Sequence, residues 1–266
     1  MLISPPFGGG RAPVLAKNTV ASSQPLATQA GIEILQNGGN AVDAALATAI
    51  TLTVVEPTMN GLGGDGFALI WDGKKLHGMN ASGRAPAAWT PEYFSGKAAM
   101  DLIGWNTVTV PGMVSGWIEL SRKFGKLPFA QLFKRAIDYA ENGFPVSPVI
   151  ARQWREAIPI LKNQPGFSDS FLIEGKSPTA SQIWRYPAQA KTLREIAETE
   201  GESFYTGKLA QGMVDFAQST GGCFTMTDFA NNQTEWVEPL AFDYGDFTLH
   251  EIPPNGSGIV AQMALG

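Results

Sequence analysis

Apolar positions from residue 25 onward recur at helical spacing. Leu26, Ala30, Ile34 and Leu35 share one stripe, Pro25 sits where a first turn tolerates a missing N–H, and Asn37-Gly38-Gly39 stops the pattern. These features predict an amphipathic helix. Asn40 can cap a second helix with Asp43 in its first turn, and 41–53 is apolar on nearly every face, which predicts a helix buried on all sides. Glu56-Pro57 ends it, a glycine cluster follows, and the period then changes. Residues 67–71 and 75–80 read as two strands joined across Asp72-Gly73, a dipeptide that suits a tight hairpin.

Helical spacing returns at 111–124 and 128–141, with Val114, Trp117, Ile118, Leu132, Phe133, Ala136 and Ile137 on the buried faces and Asn142-Gly143 as the stop. The two are expected to be antiparallel neighbours. Pro159, Pro165, Gly166, Gly175 and Pro178 then loosen the pattern, leaving one short helix at 152–161 in an otherwise irregular surface excursion. Further helices are predicted at 188–199 and 201–220, with Thr227-Asp228 capping a short one. Residues 234–252 alternate as strand-turn-strand around Tyr244-Gly245-Asp246, and Pro253-Pro254-Asn255-Gly256-Ser257-Gly258 leads into a helix at 259–265. An apolar first turn left uncompleted there reads as a fragment, so the expectation is a single incomplete domain, 1–266, truncated at its C-terminus.

Composition narrows the chemistry. The 266 residues are 44% hydrophobic and 16% charged, enough to bury a substantial core. A formal net charge of −5 argues against nucleic acid and against an anionic membrane surface as partners, and leaves small-molecule or peptide chemistry. A single cysteine, Cys223, excludes a disulfide framework and a multi-cysteine metal cluster, and two histidines, His77 and His250, make a His-rich metal site a poor expectation. No cofactor or metal is expected. Residues 1–14 lack a basic stretch followed by an apolar run, and no later segment is long and apolar enough to span a bilayer, which points to the cytoplasm.

Few motifs survive scrutiny. Gly61-Leu62-Gly63-Gly64-Asp65-Gly66 satisfies the spacing of a dinucleotide loop, but such a loop needs a strand before it and a helix after it, and here the order is reversed. What remains is a conformational turn or a turn that shapes a substrate pocket. Arg84, between Gly83 and Ala85-Pro86, presents a guanidinium suited to a carboxylate-bearing substrate, or else to a structural ion pair. Cys223 has no base beside it in sequence and reads as a small buried residue. Asp43, Glu56, Asp65 and Asp72 form no recognisable metal or glycosidase pair.

Larger blocks are more specific. Pro25-Leu26-Ala27-Thr28, Gly38-Gly39-Asn40-Ala41-Val42-Asp43-Ala44-Ala45, Val55-Glu56-Pro57 and the glycine cluster up to Phe67 resemble the start of the large subunit of the γ-glutamyltransferase family. So do Val110-Pro111-Gly112, Gly125-Lys126-Leu127-Pro128, Ala140-Glu141-Asn142-Gly143-Phe144-Pro145-Val146, Phe204-Tyr205-Thr206-Gly207 and the Pro253–Gly258 motif, in the same order from about residue 12 to the end.

The resemblance implies an α+β fold, the large-subunit portion of an αββα N-terminal-nucleophile hydrolase sandwich, made from a proenzyme that cuts itself in two. The family nucleophile is a threonine freed at the start of the small subunit, with its own α-amine as base. That threonine lies beyond the matched region, and Met1-Leu2 offers no hydroxyl or thiol, so no catalytic residue is expected in this chain and it should be inactive without the small subunit. The implied substrates are γ-glutamyl, glutathione-like, or similar carboxylated acyl amides. In family register, Ser82 and Gly83 occupy the positions of the carboxylate-gripping arginine and its following glutamate, and the arginine stands instead at Arg84. Arg84 and Ser82 are therefore the substrate-binding candidates. The shift leaves open an acylase of the cephalosporin-acylase type acting on non-γ-glutamyl amides; a truncated, non-catalytic binding module is the other alternative.

Overall fold

A computed structural model describes residues 14–266, so the expectations placed on 1–13, Met1-Leu2 among them, lie outside it. The helix α1 (Pro25–Gln36) is capped by Gln24, whose Oε1 accepts from the backbone N–H groups of Leu26 and Ala27. The helix α2 (Ala41–Val55), expected to be buried on all sides, leaves Ala41 and Ala45 exposed on one face; it opens on a reciprocal cap in which Asn40 Oδ1 accepts from Asp43 N and Asp43 Oδ2 accepts from Asn40 N, both at 3.0 Å. The Asp43 carboxylate is fully buried and also accepts from Lys126 N and Leu127 N, which ties a distant turn to the helix start. Thr48, Thr51 and Thr53 are tolerated inside α2 because each hydroxyl donates at 2.7 Å to a carbonyl one turn back.

The hairpin forms as expected from β1 (Gly66–Trp71) and β2 (Leu76–Ala81), with Trp71 opposite Leu76 and Gly66 opposite Ala81. Its connection is longer than a two-residue turn. Only Gly73 takes a positive φ, +94°, and Asp72 Oδ1 closes the loop by accepting from Lys74 N and Lys75 N at 2.8 Å each. Next, α3 (Met113–Phe124) matches its prediction, whereas the helix expected over 128–141 begins as a 3-10 turn, Phe129–Phe133, before becoming α4 (Lys134–Asn142). The expected antiparallel pairing of α3 with α4 is not the main contact. Each packs on α2, which is apolar all round and accepts a neighbour on more than one side.

The segment expected to be irregular is more ordered. A short strand β3 (Phe144–Pro145) pairs with β4 (Ile183–Trp184) and closes the excursion at its base. Between them run α5 (Pro148–Leu161), longer than the predicted helix, and α6 (Phe167–Phe171). Ser147 caps α5 with Pro148 in its first turn, a start signal that outweighs the later prolines. Trp154, 2% exposed, anchors α5 against Trp184 and donates from Nε1 to the Phe171 carbonyl.

After α7 (Pro187–Glu198), the single helix expected over 201–220 is two, α8 (Glu202–Tyr205) and α9 (Lys208–Ser219). The break falls at Gly207, whose backbone is extended and packs so closely on α8 that a Cβ would lie 2.7 Å from the Ser203 Cα. The helix α10 (Met226–Ala230) is capped by Thr225 with Asp228, so the cap lies upstream of the predicted Thr227. The expected strand-turn-strand divides between two sheets. β5 (Glu235–Val237) joins the free edge of β2, while β6 (Leu240–Tyr244) and β7 (Phe247–Glu251) form a separate hairpin covered by α11 (Ile259–Leu265).

Helices and sheet thus meet in one α+β body. In the order β1-β2-β5, Ala68, Ile70, Met79, Ala81 and Trp236 face the helical core. The alternate residues of β1 turn the other way and stay open, Phe67 at 41%, Leu69 at 40% and Trp71 at 64% exposure.

Candidate functional site

The loop leaving β2 carries Ser82, Gly83 and Arg84 and lies flush on a second backbone. Gly83 takes φ +76°, and a Cβ there would sit 1.8 Å from the Val110 carbonyl oxygen. From the other side, a Cβ on Gly112 would sit 2.2 Å from the Ala81 carbonyl oxygen. Only two glycines permit this approach, and Val110 N seals it by donating to the Arg84 carbonyl at 2.9 Å. The Val110-Pro111-Gly112 segment is fixed in turn, because Gly112 N and Met113 N donate to the Gly64 carbonyl at 3.2 and 3.1 Å.

That bond defines the part played by the glycine cluster. The 61–66 loop supports the start of α3 and lines no part of the cleft around Arg84, which fits a conformational turn rather than one that shapes this cleft directly. Gly61 and Gly63 have no positive φ and no atom closer than about the van der Waals limit around a notional Cβ.

Arg84 projects into a cleft of about 520 Å³ together with Ser82, Asn80, Gln233, Glu235 and Asn255. Its Nη2 donates to Glu235 Oε1 across the cleft, yet both side chains remain more than half exposed, at 57% and 52%. Ser82 is held by two asparagines that also bond to each other. Its N–H donates to Asn80 Oδ1 at 2.9 Å, its hydroxyl accepts from Asn255 Nδ2 at 3.0 Å, and Asn80 Nδ2 donates to Asn255 Oδ1 at 2.9 Å. Both predicted substrate-binding residues therefore share one cleft.

Behind the cleft a second network ties its two walls to α3. Tyr205 donates to the Pro111 carbonyl at 2.8 Å and accepts from Ser115 N at 2.9 Å. The Ser115 hydroxyl lies 2.8 Å from Thr234 Oγ1 and accepts from Asn232 Nδ2 at 3.1 Å. Burial pushes the Tyr205 phenol up to about 12, against the smaller opposing pull of its bonds to Ser115.

The remaining candidates lie elsewhere. His77 pairs with Asp72 at 2.7 Å at the end of the hairpin, and that bond, helped by the Lys75 and Lys74 amides, holds the Asp72 carboxyl at about 2. His250 lies on β7. Cys223 is half-buried rather than buried, and none of these lines the cleft. Asp43 and Glu56 serve the backbone and a neighbouring hydroxyl, Glu56 accepting from Ser23. Among the described residues, no three His, Cys, Asp or Glu side chains gather as a metal site, and no helix is long and apolar enough to cross a membrane.

Four cleft residues were not singled out from sequence: Asn80, Gln233, Glu235 and Asn255. Asn255 and Asn80 stand within or beside recognisable blocks, so proximity to those blocks was an available signal. Glu235 is separated from Arg84 by 151 positions, and nothing local marks their pairing. The arrangement can hold an anion on Arg84 and orient it with neutral hydrogen-bonding groups. Among the described residues, its lining contains no histidine, cysteine or lysine.

The profile of the family described as gamma-glutamyltranspeptidase matches residues 27–266. The chain is 38% identical over 252 residues to a glutathione hydrolase-like YwrD proenzyme from Bacillus subtilis, covering 94% of this chain and 48% of that protein. It is 37% identical over 249 residues to an oxamate amidohydrolase proenzyme from Klebsiella pneumoniae, covering 91% and 47%. Among solved structures, a cephalosporin acylase from Bacillus halodurans superposes with a TM-score of 0.88 at 45% identity, covering 97% of this chain and 51% of that one. The chain spans about half the length of the curated relatives it matches.

Proposed function

The chain belongs to the gamma-glutamyltranspeptidase family, and from that premise we propose that it is the large-subunit portion of a self-processing amidohydrolase or acyltransferase. Its substrates are γ-glutamyl, glutathione-like, or similar carboxylated acyl amides. The observation that carries this reading is the exposed Arg84 guanidinium in a cleft with the ordered Ser82 hydroxyl. Only part of its donor fork is engaged by Glu235, and a planar guanidinium accepts a carboxylate through paired N–H groups.

The acyl carboxylate docks on Arg84, and Ser82 with Asn255 orients the neighbouring polar atoms. This holds the amide at a fixed distance from a threonine supplied by the part of the protein that the relatives possess beyond the matched region. Attack of that threonine forms an ester and releases the amine; water or a second amine then takes the acyl group. The same second half covers the open face of β1, where Phe67, Leu69 and Trp71 lie exposed.

A second reading has its own support. The arginine stands at Arg84 rather than at the family position occupied here by Ser82, and a cephalosporin acylase is among the similar structures. An acylase for carboxylated, non-γ-glutamyl amides fits both facts.

The test is to express the protein from its full reading frame and assay γ-glutamyl and glutaryl anilides. Cleavage of either, with Arg84→Ala raising KM by an amount on the order of 1.5–3 kcal/mol for a lost charge-assisted contact, supports the proposal. Turnover of neither anilide, or an unchanged KM in the variant, returns Arg84 to a structural ion pair.

A further inference from the structure

Among the described residues lining the Arg84 cleft, Glu235 is the one acidic group. It starts the short edge strand β5, opposite Asn80, with its carboxylate aimed at the guanidinium proposed to receive the substrate. An exposed pair of this kind adds little to folding, since solvent screens it and two long side chains must be held still. Its effect on a ligand is larger. Among the described residues, the lining carries one positive and one negative group, Arg84 and Glu235, and is otherwise neutral.

An acyl group bearing a bare carboxylate must take Arg84 from Glu235 and leave two carboxylates side by side. Like charges about 4 Å apart repel by roughly 1 kcal/mol in bulk water and by about 4 kcal/mol near a protein surface. An acyl group bearing an ammonium beside its carboxylate meets no such conflict. Its carboxylate replaces Glu235 on Arg84, its ammonium takes Glu235 as a new partner, and the cleft stays neutral.

Building on the proposed function, we infer that Glu235 is a specificity residue: it selects acyl groups with a zwitterionic amino-acid head over those with a carboxylate alone. Arg84 supplies the grip and Glu235 the choice, a division in which a repulsive element does the discriminating.

The test compares γ-glutamyl with glutaryl anilides, which differ at the amine, in the full-length protein and its Glu235→Gln variant. The wild type is expected to favour the γ-glutamyl compound. Glu235→Gln should lower that preference about tenfold, with kcat/KM falling for γ-glutamyl and rising for glutaryl, whereas Arg84→Ala depresses both. A wild type that favours glutaryl, or a preference unchanged in Glu235→Gln, overturns the inference and leaves the Arg84 reading standing. If neither anilide is turned over, the proposed function fails on its own. L-Glutamate and glutarate binding, measured by calorimetric titration, then decides the role of Glu235: a wild-type preference for glutamate that the variant loses supports it, and equal behaviour of the two proteins sinks it.

Discussion

The helical half and the sheet half of this molecule bury their apolar residues differently. Ile50 on α2, Phe133 beside α4, and Leu193 and Ile196 on α7 are all 0% exposed, each covered by other helices of the chain. On β1, Ala68 and Ile70 reach the same core, but Phe67, Leu69 and Trp71 between them stand 40% to 64% exposed. Tyr244 and Phe247 at the tip of the β6–β7 hairpin are exposed as well, at 55% and 79%. A strand that is apolar on both faces is written for cover on both faces. These helical positions find their cover within this chain, β1 finds cover for one face only, and the Arg84 cleft opens at the seam.

The sharpest way to break that contrast is to cut one residue on each side of it. Ile50→Ala should cost about 2–5 kcal/mol, because Ile50 is fully buried among packed side chains that cannot close over the gap, while Leu69→Ser on the open face should stay within about 0.5 kcal/mol. Urea denaturation of this chain reads both. Similar losses at the two positions would mean that the bare sheet face is packed in solution.

At the seam the expected effect is intermediate. Gly83→Ala places a methyl group against the Val110 carbonyl at a backbone angle that L-residues avoid, so a loss of about 2 kcal/mol is expected, with the loop bearing Arg84 displaced. Gly61→Ala meets open space without positive φ and should be neutral within about 0.5 kcal/mol. Equal effects by chemical denaturation would remove the argument that backbone contact, rather than the glycine cluster itself, builds the site.

The same division marks what could be read from sequence. Caps and periodicity placed α1, α2, α3 and the hairpin, since the signals at Pro25, Asn40-Asp43 and Asp72-Gly73 are local. Where the deciding contact was tertiary, reading failed. Gly207 breaks a continuous helical pattern because of Ser203, and β5 leaves its neighbours to pair with β2. In the cleft, Arg84 and Ser82 stood in a recognisable block, but Glu235 became part of the site only when the chain folded back across 151 positions.

Tyr205 tests the link between the halves at a smaller scale. Tyr205→Phe leaves Ser115 N and the Pro111 carbonyl without their shared partner and should cost about 1–2 kcal/mol, read by denaturation. The native hydroxyl is held protonated, from an ordinary 10.0 up to about 12. Its contribution is therefore complete below pH 10 and lost as pH rises through about 12, so phenolate absorbance from Tyr205 should appear only at the upper end of that range. A variant with unaltered alkaline stability would detach this network from the fold.

The smallest effect is expected at the hairpin turn. Asp72 is depressed from 3.8 to about 2 by its bond to His77 and by the Lys75 and Lys74 amides. A lowered carboxyl favours the fold above its ordinary value and loses that effect as pH falls from 3.8 through about 2. Hydrogen exchange at Lys74 and Lys75 should accelerate across that window, while amides of α2, whose protection owes nothing to Asp72, keep theirs. Asp72→Asn can still accept from the two amides but cannot titrate, so it should flatten the acid response at the turn. An unchanged response in that variant, or simultaneous loss from α2, would mean that the hairpin does not open on its own and that the two halves yield to acid as one unit.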